Sequence, residues 1–174
     1  MAGNIYKEEN GVYQIDFSSA LWSTDELHDI FHKSGSSLLS DVDFVAETDN
    51  EIILVEYKNA NIGRAKNPDA FIPSSENRIL KIAYKFYDSI IYICACGYKK
   101  PYKYVYVLEY PKGDSTTRKL IRNKIAAKLP FELQKDKNIK HQLINGFEVL
   151  SIDEWNNNPL YSIFPISIIT TTNI

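Results

Sequence analysis

The stretch Ser40–Ala60, SDVDFVAETDNEIILVEYKNA, carries two aspartates, then a glutamate and a lysine two residues apart. Asp41 and Asp43 alternate with Val42 and Phe44, and Glu56 and Lys58 flank Tyr57 behind the apolar run Ile52-Ile53-Leu54-Val55. Two strands joined at Asp49-Asn50 account for this pattern, because both turn residues tolerate positive φ. A two-residue turn there sets Thr48 against Glu51, Val45 against Leu54, Asp43 against Glu56 and Asp41 against Lys58. Side chains alternate along a strand, so Asp41, Asp43, Glu56 and Lys58 then share one face. Opposed side chains of an antiparallel pair stand roughly 5 Å apart at Cβ. Carboxylates that close repel one another unless a proton or a cation lies between them. With a lysine beside them they suit a hard divalent cation bound to phosphate. The plain alternative is a solvated hairpin of mixed charge. Against it stands the unbroken apolar run Ile52–Val55, which reads as a strand buried on both faces.

The flanking elements must hold that face in place. Residues 11–18 alternate as a first strand, and Ser23 or Thr24 then caps a helix with Asp25 and Glu26 in its first turn and Gly35 at its end. His28 and His32 share one side of that helix at a spacing of four, without the glutamate of a zinc-protease motif. Residues 61–75 form a Gly-, Pro- and Asn-containing loop that bears Arg64 and Lys66, a candidate lid over a substrate. The longest helix starts at Ser75. Its apolar stripe runs Ile79, Ile82, Ala83, Phe86, Ile90 and Ile93, and Arg78, Lys81 and Lys85 lie on the other side. Residues 103–110 read as a strand beside Ile52–Val55, residues 116–129 as a basic helix with Arg118 and Arg122, and residues 147–152 as a last strand. The apolar tail YSIFPISII must pack on the body or on a partner.

Asp43, then Glu56-Tyr57-Lys58 at the end of the next strand, resembles the motif of the PD-(D/E)XK nuclease superfamily. The usual proline before the aspartate is missing here, with Ser40 and Val42 around Asp41 instead. The resemblance implies a restriction-endonuclease-like fold, a mixed α/β sheet flanked by helices with an αβββαβ core. Its first core strand would be short or replaced by residues 12–18. It implies metal-dependent phosphodiester hydrolysis, with Asp43, Glu56 and the main-chain carbonyl of Tyr57 on Mg²⁺ (Mn²⁺ able to substitute). Lys58 would orient water or stabilise the transition state, and Asp41 would tune Lys58 or serve as a second ligand. Glu26 would be the acidic residue supplied by the first helix. Nucleic acid is the implied partner, DNA ahead of RNA, touched by Arg64, Lys66, Arg78, Lys81, Lys85, Arg118 and Arg122. A homodimer cutting both strands belongs to the same expectation. A second function class is a catalytically inactive member of the fold that binds nucleic acid or a protein.

Composition sets outer bounds. The 174 residues, 44% of them hydrophobic, suit a single domain over 1–174 with a substantial core. The net charge of −2 hides an asymmetry: residues 1–56 carry 2 basic and 12 acidic side chains (−10), residues 97–140 carry 12 and 4 (+8). A phosphate backbone would be expected along the basic block. No signal peptide or membrane-length apolar run is evident, which points to an intracellular protein away from the membrane. Cys94 and Cys96 are expected as buried thiols. No Gly-rich phosphate loop or nucleophile elbow is present, which disfavours nucleotide hydrolysis and acyl transfer.

Overall fold

The computed structural model describes residues 4–36, 38–62 and 70–170. It is a mixed α/β architecture of two sheets and four α-helices among the described residues. The larger sheet holds β3 (Trp22–Thr24), β4 (Phe44–Glu47), β5 (Ile52–Asn59), β6 (Tyr102–Glu109) and β7 (Ile144–Leu150), neighbouring one another in that order. β3, β4 and β5 pair antiparallel, whereas β5, β6 and β7 run parallel. A parallel neighbour needs a crossover, and α2 (Glu76–Ala95) and α3 (Ser115–Ala126) supply the two required. The smaller sheet joins the chain's two ends: β1 (Ile5–Lys7), β2 (Tyr13–Asp16) and β8 (Ile166–Ile168), antiparallel throughout. Residues 12–18 therefore do not take the first position of the main sheet. Trp22–Thr24 holds that edge, pairing with Val45–Glu47.

The hairpin has the expected register, although Asp49 and Asn50 both keep negative φ and so do not form the positive-φ turn expected of them. Val45 faces Leu54 and Phe44 faces Val55, and the Thr48 N–H donates to the Glu51 carbonyl at 2.9 Å. β5 is central and buried on both faces. Ile52 and Leu54 pack with Ile79, Ala83, Phe86 and Tyr104 under α2, and Ile53 and Val55 pack with Phe17, Phe44, Trp155 and Phe164 under the small sheet. Each fully buried side chain of this size adds about 1.5–3 kcal/mol, so two opposed layers clamp the strand that carries Glu56. The apolar tail packs on the body, with Tyr161 and Phe164 fully buried and the Trp155 Nε1–H donating to the Phe164 carbonyl at 2.7 Å.

Several local expectations shift. Ser23 and Thr24 join β3 instead of capping a helix, so α1 (Leu27–Lys33) starts later, behind Glu26. Gly35 and Gly97 end their helices with φ of 73° and 91°, the left-handed turn that glycine adopts without strain. The last expected strand ends early, at Leu150, and Ile152–Asn157 forms α4, closed by a capping box in which the Ser151 Oγ accepts the Glu154 N–H. Cys94 and Cys96 are exposed, not buried, because α2 ends beyond the sheet. No described helix is long and apolar enough to cross a membrane.

Candidate functional site

One further step of the β4–β5 register sets Asp43 against Glu56, on the face covered by α2. The strands part there. Val42, which a continuing ladder would place against Tyr57, gives its N–H to the Ser89 Oγ at 3.1 Å, and the Ser40 N–H goes to Asp88 at 2.8 Å. The Asp43 carboxylate takes the vacated place and accepts the Tyr57 N–H at 2.7 Å. A strand residue directs its N–H and C=O to the same edge, so the Tyr57 carbonyl lies on the Asp43 side, left free by Val42.

Lys85 reaches this pair from α2. Its Nζ donates to both Glu56 carboxylate oxygens, at 2.8 and 2.7 Å, and lies 3.7 Å from the Asp43 Oδ1. Glu56 is buried, and the Lys85 side chain is only 14% exposed. Burial, then the neighbouring Asp43 carboxylate, pushes the Glu56 carboxyl up to about 8 against the pull of Lys85. Burial also raises Asp43, opposed by Lys85 and the Tyr57 N–H. Burial would lower the Lys85 ammonium, but Glu56 and Asp43 outweigh it and hold the group above its ordinary value. A buried acid, a half-exposed acid and one ammonium thus meet at one point.

That point lies under a cleft of about 560 Å³ lined by both Asp43 and Lys85. α1 contributes His28 and His32, the turn before β2 contributes Glu8 to Asn10, β5 contributes Lys58 and α2 contributes Lys81. Lys58 points along this face and has no ion-pair or hydrogen-bond partner among the described residues. Asp41 also lines the cleft, but its Oδ1 meets the His28 Nδ1 at 3.2 Å, not Lys58. The pairing expected from register fails because β4 begins only at Phe44. Glu8 is a structural anion. Burial alone would raise it, yet the N–H groups of Asn10, Val12 and Tyr13 and the Asn10 side chain bring it below the ordinary carboxylate range.

The remaining expected residues divide. Glu26 is exposed ahead of α1 and does not line the cleft; Asp25, also exposed, does. Lys81 and Lys85 line the cleft, whereas Arg78 lies over the Phe71 ring at 4.4 Å. Arg118 is buried, donating to Glu154 at 2.8 Å and to the Gly113 carbonyl at 3.2 Å, so it is a structural cation and not a phosphate contact. Arg122 gives its Nε–H to the Phe147 carbonyl at 3.0 Å. Arg64 and Lys66 lie outside the described residues. Part of the basic block is also paired within the fold, with Lys100 on Glu47, Lys103 on Glu148 and Lys128 on Glu76.

Hard oxygen donors dominate the centre: two carboxylates and the Tyr57 carbonyl. Mg²⁺ takes such donors while keeping several waters, and the ammonium of Lys85, seen by both carboxylates, marks where a cation is stabilised. Among the described residues no group of three or more His, Cys, Asp or Glu side chains converges as a ready-made metal cage. The donor set fits a cation that completes its shell with water and substrate. The sequence missed Lys85 as the partner of Glu56 and missed the Glu8 turn. No family model, no curated protein and no solved structure matches the chain.

Proposed function

We propose that this protein is a metal-dependent nuclease hydrolysing phosphodiester bonds, DNA ahead of RNA. The observation that carries this reading is the convergence of Asp43 and Glu56 on one cationic centre beneath an open cleft that Lys58 also lines. The β4-β5-α2-β6 order supports a restriction-endonuclease-like core; the edge strand β3 precedes α1 here, where the αβββαβ order has it follow.

In this reading Asp43, Glu56 and the Tyr57 carbonyl would hold Mg²⁺, with Mn²⁺ able to substitute. The bound ion supplies a lowered water pKa and neutralises charge on the phosphoryl oxygens. Lys58 directs its ammonium at the attacking water or at the developing negative charge. Glu56 is buried on the face whose core includes Val45, Leu54 and Phe86, and the scarcity of water there strengthens its electrostatics. Lys81 steers the phosphate backbone into the cleft.

A second reading has its own observation. Lys85 already neutralises Glu56 with two hydrogen bonds, so the fold needs no metal to satisfy that carboxylate. A non-catalytic module binding nucleic acid or a protein partner is consistent with that. Incubating plasmid with the protein in Mg²⁺ or Mn²⁺, and again in EDTA, separates the two. Cleavage is expected only with the divalent ion and is expected to vanish in Glu56→Ala and Lys58→Ala. Cleavage surviving either treatment would sink the metal-nuclease reading. Tight nucleic-acid binding with no calorimetric sign of divalent binding would favour the module.

A further inference from the structure

We infer that Lys85 is the resting cation of the site and exchanges with the divalent ion, swinging from Glu56 into the cleft where it meets the substrate phosphate. The inference rests on the nuclease reading and extends it by assigning a moving group. Three observations carry it. Lys85 Nζ occupies the one place within contact of both carboxylates, 2.7 Å from Glu56 and 3.7 Å from Asp43. A second cation cannot share those oxygens at about 3 Å from an ammonium without strong repulsion. Lys85 also lines the cleft, so its long side chain has an exit that requires no movement of α2.

The groups facing Lys85 favour both positions. In the resting position it is held by Glu56 from β5 and Asp43 ahead of β4, with Asp41 adding attraction. In the cleft it would join Lys81, one turn earlier on α2, and Lys58 from β5. That cluster is unfavourable alone and becomes favourable when a phosphate backbone lies across it. Substrate and divalent ion would therefore bind cooperatively, each drawing Lys85 the same way, and linkage makes that coupling reciprocal. Without either, Lys85 keeps two acids neutralised in a buried place, where an unpaired carboxylate would be costly.

The test has two arms on the full chain. Mn²⁺ binding without nucleic acid, read by titration with the free ion followed by its electron paramagnetic resonance, is compared for wild type, Lys85→Met, Lys85→Arg and Glu56→Gln. We expect Lys85→Met to bind about tenfold or more tightly, within the usual span of a coupling between sites, Lys85→Arg to stay near wild type and Glu56→Gln to lose binding. In the second arm, lysine acetylation of the wild-type protein is followed by mass spectrometry with and without Mn²⁺. Lys85 should be protected without the ion and become reactive with it, while Lys81 stays unchanged. Equal Mn²⁺ affinity in wild type and Lys85→Met, lost in Glu56→Gln, overturns the exchange and leaves the nuclease reading intact. Tighter binding with Lys85 still protected also overturns it, as a remote charge effect. Absence of Mn²⁺ binding in both wild type and Lys85→Met overturns the exchange together with the metal reading beneath it. Should Lys85→Met not fold, the acetylation arm decides alone.

Discussion

Two pairs of a cation with a glutamate flank the main sheet, and they are built differently. Arg118 and Glu154 tie α3 to α4. The guanidinium also reaches the Gly113 carbonyl, and the same carboxylate oxygen takes the Ser151 N–H at 2.8 Å. Burial tends to raise Glu154, but its bonds to Arg118 and Ser151 win and bring it below the ordinary range. On the central strand, Lys85 and Glu56 meet with a second acid close by, and Glu56 is pushed up to about 8. One pair is settled by its neighbours; the other is crowded, charged and open to a cleft. A single ion pair needs no cleft to be stable, and two acids around one ammonium are not arranged for stability. The contrast separates a pair settled by its surroundings from the crowded pair of the proposed site.

The contrast breaks most visibly in activity. Glu56→Gln is expected to reduce plasmid cleavage about a hundredfold or more, since a metal site supplies several kcal/mol of transition-state stabilisation. Glu154→Gln should leave cleavage per folded molecule unchanged. If both substitutions reduce cleavage alike, the two pairs do not differ in kind.

Stability against pH gives the next largest effect, with opposite signs at the two sites. Glu56 has a folded value of about 8, above its unfolded 4.5, so its contribution is fully present below pH 4.5 and is lost as pH rises towards 8. At about 1.4 kcal/mol per unit, that slope amounts to a few kcal/mol. Glu154 is lowered, so its contribution is present above its unfolded value and is lost as the solution is acidified. Urea melts from pH 2 to 9 should show the alkaline loss lessened by Glu56→Gln, with Asp43 leaving a remainder of the same sign, and the acid loss lessened by Glu154→Gln. An unchanged alkaline slope in Glu56→Gln would contradict the crowded environment described for that residue.

Arg118→Ala sharpens the structural side. It strands the Gly113 carbonyl and the partly exposed Glu154 carboxylate, which should cost about 2 kcal/mol after allowance for solvent screening. Chemical denaturation measures the loss. Nucleic-acid affinity should not change, because the guanidinium faces the fold and not the cleft.

How much of this was legible in the chain depends on the distance over which each feature is encoded. The Asp43–Glu56 pairing is local: Asp49-Asn50 sets the turn, and alternation does the rest. The burial of β5 was legible from Ile52–Val55. The Asp41–Lys58 pairing was not, because Asp88 and Ser89 of α2 capture the backbone at Ser40 and Val42 and end the ladder early. Periodicity gave α2 its buried face, with Ile82 and Phe86 on either side of Lys85. It could not give the helix's position over the sheet, so Lys85 read as one of a basic stripe expected to touch nucleic acid. The small sheet was the least legible part. Tyr13 pairs with Ile168 across almost the whole chain, and neither strand exceeds four residues. Glu26 was favoured over Asp25 on the assumption that the helix began at Ser23 or Thr24; β3 claims those residues and moves the acidic side chains by one place.

The smallest expected effect tests whether the cleft, and not the basic block, meets phosphate. Lys81 lines the cleft and is exposed, whereas Lys128, in the basic block, is paired with Glu76 on the outer surface. Each phosphate contact releases counterions, so log affinity falls with log salt at a slope of about 0.9 per contact on duplex DNA. Lys81→Ala should weaken binding of a duplex a few-fold and reduce that slope by about 1, evenly across sequences. Lys128→Ala should alter neither. Fluorescence anisotropy over a series of salt concentrations reads both quantities. A reduced slope in Lys128→Ala with none in Lys81→Ala would move the phosphate path from the cleft to the far side of α2, away from Glu56 and Asp43.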